Sequence, residues 1–229
     1  LTSYSGETTV TGDGVYGLVV GKNSAINNIP GGSVKVAGAG GKSSNQTTDR
    51  GSVGLVVQSG GKIGGIGLTV DAKVAGQKSV GVYSAGNASI GAANITTSEG
   101  AVNFFAEDGT ISINGPSIVE TGTGTDRGSL LFYARGNSGK ILIKEQMTAT
   151  VKGDEDPAKT GTAFLFEGSG TDYTSFTTKE IGDWAKTTFG NGTTSTLDKL
   201  TLEMKDNSRL FVASNVSMNL SDTSSKALS

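Results

Sequence analysis

Apolar and polar residues alternate along this chain in short bursts, and one five-residue phrase keeps returning. Val15-Tyr16-Gly17-Leu18-Val19 is answered by Ser52-Val53-Gly54-Leu55-Val56, Ser79-Val80-Gly81-Val82-Tyr83 and Ala101-Val102-Asn103-Phe104-Phe105. Ser129-Leu130-Leu131-Phe132-Tyr133 and Thr162-Ala163-Phe164-Leu165-Phe166 follow, with a weaker seventh copy near Ser208 to Ala213. Alternation with period two marks each phrase as a strand. Their first residues, 15, 52, 79, 101, 129 and 162, are 37, 27, 22, 28 and 33 residues apart. A fixed phrase at variable spacing describes a constant rung that carries loops of different length.

Each phrase is followed by a second short strand: Ala25-Ile26, Lys62-Ile63, Ser89-Ile90, Thr110 to Ile113 and Lys140 to Ile143. A third comes next, at Ser33 to Val36, Leu68 to Val74, Asn94 to Thr96, Ser117 to Val119 and Met147 to Val151. Three strands per repeat, punctuated by Gly, Asn or Asp turns, predict an all-β parallel β-helix, a solenoid of about seven rungs. At about 4.8 Å per rung, seven rungs stack to roughly 34 Å. A β-sandwich or jelly roll is the rival, but its antiparallel hairpins would not repeat the same strand order. Residues 1–229 then form one β-helical segment.

Period two also assigns faces. Tyr16, Leu18, Val53, Leu55, Val80, Val82, Val102, Phe104, Leu130, Phe132, Ala163 and Leu165 are apolar throughout and are expected inside. The opposite parity, Gly17, Gly54, Gly81, Asn103, Leu131 and Phe164 beside Val19, Val56, Tyr83, Phe105, Tyr133 and Phe166, is expected outside. An outward face that turns aromatic needs a cover or a partner. Residues 168–199 read as an inserted subregion with one helix over 177–189. There Thr177 and Glu180 form a capping box, Phe176 and Ile181 a hydrophobic staple, and Gly190 a C-cap. Ile181, Trp184, Ala185 and Thr188 share a face of that helix, which suits covering the aromatic stripe or recognising a ligand.

Composition narrows the chemistry. The 229 residues include 36 Gly but no His and no Cys, and aromatics are 6%. Few large side chains suit a narrow repetitive core. Without His or Cys, the chain lacks Ser-His-Asp and Cys-His nucleophile arrangements, disulfides, and imidazole or thiolate metal sites. Lys plus Arg is 19 against Asp plus Glu 21, a net charge of −2, which gives no footprint for nucleic acid or an anionic membrane. No run approaches the roughly 20 apolar residues of a membrane helix, so no membrane insertion by this segment is expected. The start, without Met or a signal peptide, reads as a piece of something longer.

What remains chemically is carboxylate, Lys and Arg, the groups used by β-helical polysaccharide lyases and hydrolases. Such a site needs these residues gathered on adjacent rungs, whereas here they scatter. Asp49 to Ser52 and Asp126 to Ser129 repeat "DRGS" in a column that otherwise carries Asp13, Gln77, Glu99 and Thr160, which reads as a solvated register ladder. Gly153 to Pro157, "GDEDP", gathers three acids, as either a solvated turn or a calcium loop. Gly12 to Gly17 fits G-x-G-x-x-G but enters a strand rather than a helix, which argues against a dinucleotide site. The expectation is therefore no enzyme, no catalytic residue, no metal and no cofactor.

The run Ser79 to Gly115 resembles the passenger repeats of type V secretion autotransporters, most closely the large outer-membrane adhesins of fusobacteria. "GVYGLVV", "SVGLVV" and "SVGVYS", each followed by Gly or Asn turns and a short Ile strand, carry the likeness, which covers about Gly12 to Val151 and, weakly, Leu200 to Leu220. The resemblance implies a right-handed β-helix on the bacterial cell surface, part of an outer-membrane protein that binds host-cell or bacterial surface protein or glycan, as a monomer. Nothing resembles the membrane barrel of that family. Its motifs are structural, so no binding residue carries over. Insertions on solenoids carry recognition, so Gly38 to Asp49, Gly153 to Lys159 and Gly168 to Thr196 are the candidate contact regions. The last offers Tyr173, Phe176, Lys179, Asp183, Trp184, Lys186 and Phe189 as partner-binding residues. A purely structural stalk is the alternative.

Overall fold

The computed structural model of the chain describes residues 3–40, 51–136, 139–167, 174–177, 199–214 and 216–219. These residues form parallel sheets and contain no α-helix. Sheet I stacks Ser3–Thr11, Asn28–Ala39, Leu68–Ala75, Ala93–Ser98, Ser117–Thr121, Met147–Val151 and Leu200–Met204 in that order. Sheet II stacks Tyr16–Val20, Val53–Val57, Val80–Ser84, Val102–Glu107, Leu130–Arg135, Thr162–Glu167 and Arg209–Ser214. Sheet III stacks Ala25–Ile26, Lys62–Ile63, Asn87–Ile90, Thr110–Ile113 and Lys140–Ile143. The chain visits the sheets in the cycle I, II, III, I, and every strand pairs in parallel with its counterpart one cycle away. This is a solenoid-like parallel β fold, and among the described residues no pairing is the antiparallel hairpin of a sandwich. A further parallel pair joins Thr174–Thr177 to Val216–Asn219.

The recurring phrase is the sheet II strand, and its orientation differs from simple alternation. Leu55, Val82, Phe104 and Phe132 are fully buried, and Phe132 stacks between Phe104 and Phe164 at ring centroid distances of 5.6 and 5.4 Å. The residue before each of these also turns inward: Asn103, Leu131 and Ala163 have no exposed surface. Two consecutive inward side chains mean that the strand bends at its second residue, after which alternation resumes. Tyr16, Val53, Val80, Val102 and Leu130, expected inside, therefore face out. Tyr16 is 41% exposed, and Val53 and Val80 join Val56, Tyr83, Val102 and Phe105 in an outer cluster separate from the main core.

The inner corner also explains the glycines at this column. A Cβ on Gly54 would lie 2.5 Å from the Gly81 carbonyl and 3.1 Å from Val70, and one on Gly81 would lie 2.6 Å from the Asn103 carbonyl and 2.7 Å from Ile95. Sheet I fills that space with larger side chains, so only glycine lets the two sheets meet there. Asn103 replaces the glycine one rung later and is fully paired. Its Oδ1 accepts from Thr97 Oγ1 at 2.6 Å and Thr121 Oγ1 at 3.0 Å, while its Nδ2 donates to the carbonyls of Ile95 and Glu120. A buried amide with all partners present costs little, whereas an unpaired one is expensive.

The sixth phrase is shifted by one residue from its expected alignment. Thr162 pairs with Leu130, Phe164 with Phe132 and Leu165 with Tyr133. Phe164 thus continues the inner column, and Leu165 rather than Phe166 follows Tyr133 on the outer face. The seventh copy has a defined register, with Arg209 beside Thr162 and Phe211 beside Phe164.

A column of buried small residues closes the corner between sheets I and II: Ser52, Ser79, Ala101 and Ser129. Ser79 Oγ donates to the Ala75 carbonyl at 2.6 Å and accepts from Ser52 N at 3.0 Å, and Ser52 Oγ donates to the Ala39 carbonyl at 2.7 Å. Ser129 Oγ is buried with no hydrogen-bond partner. Loss of a paired hydroxyl that strands a buried amide costs about 1–3 kcal/mol, and deletion of an unpaired one removes a penalty. Ser79→Ala should therefore lower the urea midpoint, whereas Ser129→Ala should leave it unchanged or raise it. Equal loss in both would contradict this reading of the corner.

Candidate functional site

The outer face of sheet II carries an apolar cluster separate from the main core. Val19, Val56, Tyr83, Phe105, Tyr133 and Leu165 occupy one ladder position on successive strands. Side chains one rung apart sit about 4.8 Å from each other, so aromatic neighbours must touch. Phe105 and Tyr133 stack nearly parallel with centroids 4.2 Å apart, and Tyr83 meets Phe105 edge-on at 5.3 Å. Tyr16 and Val19, at the start of this face, are 41% and 46% exposed.

Charge borders the aromatic column. Glu107 Oε2 accepts a 2.6 Å hydrogen bond from the Tyr83 hydroxyl, and Glu107 Oε1 lies 3.4 Å from Arg135 Nη1. Burial of the phenol first, then its bond to the Glu107 carboxylate, hold Tyr83 well above the ordinary tyrosine range. Similar cross-rung pairs occur on sheet I, Glu7 with Lys35 and Glu120 with Lys152, each at 2.7 Å and exposed. Such exposed pairs are screened by solvent, so they add little to stability and serve instead to link neighbouring rungs. Lys35 holds the Glu7 carboxyl below its usual range.

A polar groove of about 420 Å³ opens where sheet II turns into sheet III. Ser59, Asn87, Asp108, Thr110 and Lys140 line it, over a floor that includes Gly60, Gly86 and Gly109. Asn87, Thr110 and Lys140 are ladder neighbours at the first position of three consecutive sheet III strands. Their amides already donate to the turn below: Asn87 to Gly61 O, Thr110 to Gly86 O and Lys140 to Gly109 O, at 2.7–2.9 Å. A Cβ on Gly109 would lie 2.6 Å from the Gly86 carbonyl, so the turns stack this closely only as glycine. Asp108 takes a left-handed backbone conformation with φ 52°, which Asn and Asp tolerate best among residues with a Cβ. A second groove, also about 420 Å³ and mostly apolar, lies beside Thr11, Asp13, Ala37, Lys73 and Val74.

Of the residues expected to bind a partner, Tyr173, Lys179, Asp183, Trp184, Lys186 and Phe189 lie outside the described residues, as does the helix expected at 177–189 beyond Thr177. Phe176 falls in the strand Thr174–Thr177, where its backbone pairs with Met218, and its side chain lies outside the described residues. The loop Gly38 to Asp49 is described only to Gly40, just past the end of the strand Asn28–Ala39, and Asp49 and Arg50 fall outside. In the acidic loop, Asp154 Oδ1 accepts from Asp156 N and Asp156 Oδ1 from Ala158 N, both at 2.9 Å. The Ala158 amide, then Lys159, hold the Asp156 carboxyl below its usual range. These carboxylates cap their own turn, and no cluster of three metal-ligating residues occurs among the described residues. No described helix is long and apolar enough to cross a membrane.

Sequence reasoning found the aromatic column but not the groove. The signal was present: Asn87, Thr110 and Lys140 each open the second strand of their repeat directly after a glycine turn. No family model, no curated protein and no solved structure matches this chain.

Tyr83 gives the outer face a pH signature. Its folded-state pKa is raised, so its contribution to stability is complete below pH about 10, the unfolded tyrosine value, and declines as pH rises above it. Tyr83→Phe should remove one late-titrating phenol from the phenolate absorbance curve and flatten the fall of the melting temperature above pH about 10. Loss of a phenol that titrates together with the other tyrosines, with the fall of the melting temperature unchanged, would contradict the raised Tyr83 pKa.

Proposed function

We propose that this chain is a segment of a surface-displayed bacterial adhesin, the passenger part of an outer-membrane autotransporter built as a right-handed β-helix of about seven rungs. The observation that carries the reading is the outer face of sheet II, an apolar and aromatic column bordered by Glu107 and Arg135 that ends in the exposed pair Tyr16 and Val19. Apolar surface of this kind on a repeat protein suits contact with another molecule. Handedness is supported by the parallel crossovers, which are right-handed in about 98% of cases. The sheet order supports the rung number, since sheets I and II each hold seven strands among the described residues.

The partner is a protein or glycan of a host-cell or bacterial surface, bound outside the cell without catalysis and without a cofactor. The non-catalytic reading is supported by how five of the described acids are used: Glu7, Glu107 and Glu120 pair with cations across rungs, and Asp154 and Asp156 cap a turn. The insertion at 168–199, with its helix at 177–189 and the residues Tyr173 to Phe189, belongs to the same proposal as a second contact region. The solenoid then presents these surfaces at a fixed distance from the membrane.

Binding of the purified protein to epithelial cells and to other bacteria tests this. Tyr16→Ser and Val19→Asp change exposed side chains, so both variants should melt within a degree or two of the parent while binding several-fold more weakly. Full binding by both would assign this face to spacing alone. Absence of binding by the parent would overturn the adhesin reading.

A further inference from the structure

We infer that the chain cuts its own backbone between Asp156 and Pro157 in acid, with the Asp156 carboxylate as nucleophile, an inference independent of the adhesin reading. The chain's three prolines follow Ile29, Gly115 and Asp156, so this is its one Asp-Pro bond. A prolyl nitrogen carries no hydrogen and is substituted by its own ring, which makes it easier to protonate and expel than an ordinary amide nitrogen. An aspartate side chain reaches the carbonyl carbon of its own residue through a five-membered ring, a geometry that favours attack within the chain.

The turn assembles the remaining parts. Asp156 Oδ1 accepts from Ala158 N at 2.9 Å, so the carboxylate is held across the Asp156-Pro157 bond rather than turned into solvent. The carbonyl oxygen of Asp156, where negative charge develops during attack, accepts from Lys159 N at 3.0 Å. That is the placement of an oxyanion donor. Lys159 Nζ also lies 3.4 Å from Asp156 Oδ2. The Ala158 amide, then Lys159, hold the carboxyl below its usual range, so the nucleophile stays ionised further into acid, where protons for the leaving nitrogen are more abundant. The Asp156 side chain is 45% exposed, which gives water access.

In the reaction a carboxylate oxygen bonds to the Asp156 carbonyl carbon, the bond from that carbon to Pro157 N breaks with its electron pair on nitrogen, and the nitrogen takes a proton from solvent. A cyclic anhydride remains on Asp156, and one water opens it to two carboxyl groups. The sum is hydrolysis of one peptide bond, once per chain, acting on no other molecule. Both sides of the cut stay anchored. Gly128 N and Gly124 N donate to the carbonyls of Ala158 and Lys159, and Arg209 Nη2 donates to the Pro157 carbonyl. Parallel ladders join Met147–Val151 to Leu200–Met204 and Leu130–Arg135 to Thr162–Glu167 across the cut. Fragments 1–156 and 157–229 therefore part only on unfolding.

Incubation of the full chain between pH about 2 and about 7, read by denaturing electrophoresis and mass spectrometry beside a synthetic peptide of residues 153–160, tests this. At the lowest pH at which the circular dichroism of the chain is unchanged, fragments 1–156 and 157–229 should appear about 10-fold or more faster than the peptide is cut, because the turn holds the reacting groups in place. Asp156→Glu keeps the charge but lengthens the ring, and Pro157→Ala restores an ordinary amide at an exposed position. Each should melt near the parent and slow the cut by about 10-fold or more. Cleavage no faster than in the peptide, cleavage at another bond, or a rate that either variant leaves unchanged overturns the inference and leaves residues 153–160 as a capped turn.

Discussion

Each cycle of this chain must close hydrogen bonds onto the cycle below in three sheets at once. A parallel ladder has evenly spaced bonds, so a one-residue error in any strand would misplace the other two and turn their side chains to the wrong face. Everything conspicuous in the structure serves that closure. The inner corner carries Gly17, Gly54 and Gly81 because sheet I has already filled the space with Val34, Val70 and Ile95. Where the column changes to Asn103, the neighbouring ladder supplies Thr97 and Thr121 at paired positions to receive it. At the turns, a carboxylate or amide on one rung packs over a glycine on the next, Asn23 over Gly60 and Asp108 over Gly136. Each pair admits only one register.

The same closure shapes the outside. Rungs about 4.8 Å apart force identical ladder positions into contact, so an aromatic residue placed outward recruits its neighbours into a column. The rings of Phe105 and Tyr133 satisfy each other, and Glu107 links Tyr83 to Arg135 across three strands. The surface that results changes character within a few residues, from apolar on sheet II to polar in the adjoining groove. Both surfaces lie side by side on strands and turns already held by the ladder hydrogen bonds.

Much of the fold was legible because a buried strand must be apolar wherever its rung falls. Leu18, Leu55, Val82, Phe104 and Phe132 align by inspection and do form one inner column, and the second and third strands follow at nearly the expected positions. What alternation misread was the bend. Glycine has no side chain to declare a direction, and Asn103 looks like a solvent-facing residue until Thr97 and Thr121 are brought beside it. The absence of any charge from Gly17, Gly54, Gly81, Asn103, Leu131 and Ala163 was the available clue. The sixth phrase slipped because Thr162 was aligned with Ser129, whose counterpart is Gly161. Matching Glu107, Arg135 and Glu167, which share a ladder position, would have fixed it. The groove escaped because its parts are ordinary turn residues that acquire meaning only when three repeats are stacked.

The central claim is a single continuous stack, and distances along one ladder test it most directly. On sheet I, Thr9, Lys35, Asp71, Asn94, Ile118, Thr148 and Thr201 are successive partners, so six steps separate Thr9 from Thr201 and four separate Thr9 from Ile118. The chain has no cysteine of its own, so pairs introduced as Thr9→Cys with Thr201→Cys, and Thr9→Cys with Ile118→Cys, can be spin-labelled cleanly. Dipolar spectroscopy should give narrow distributions centred near backbone separations of about 29 Å and about 19 Å, in the ratio of the step counts. Broad distributions, or distances that do not scale with the number of steps, would contradict the stack.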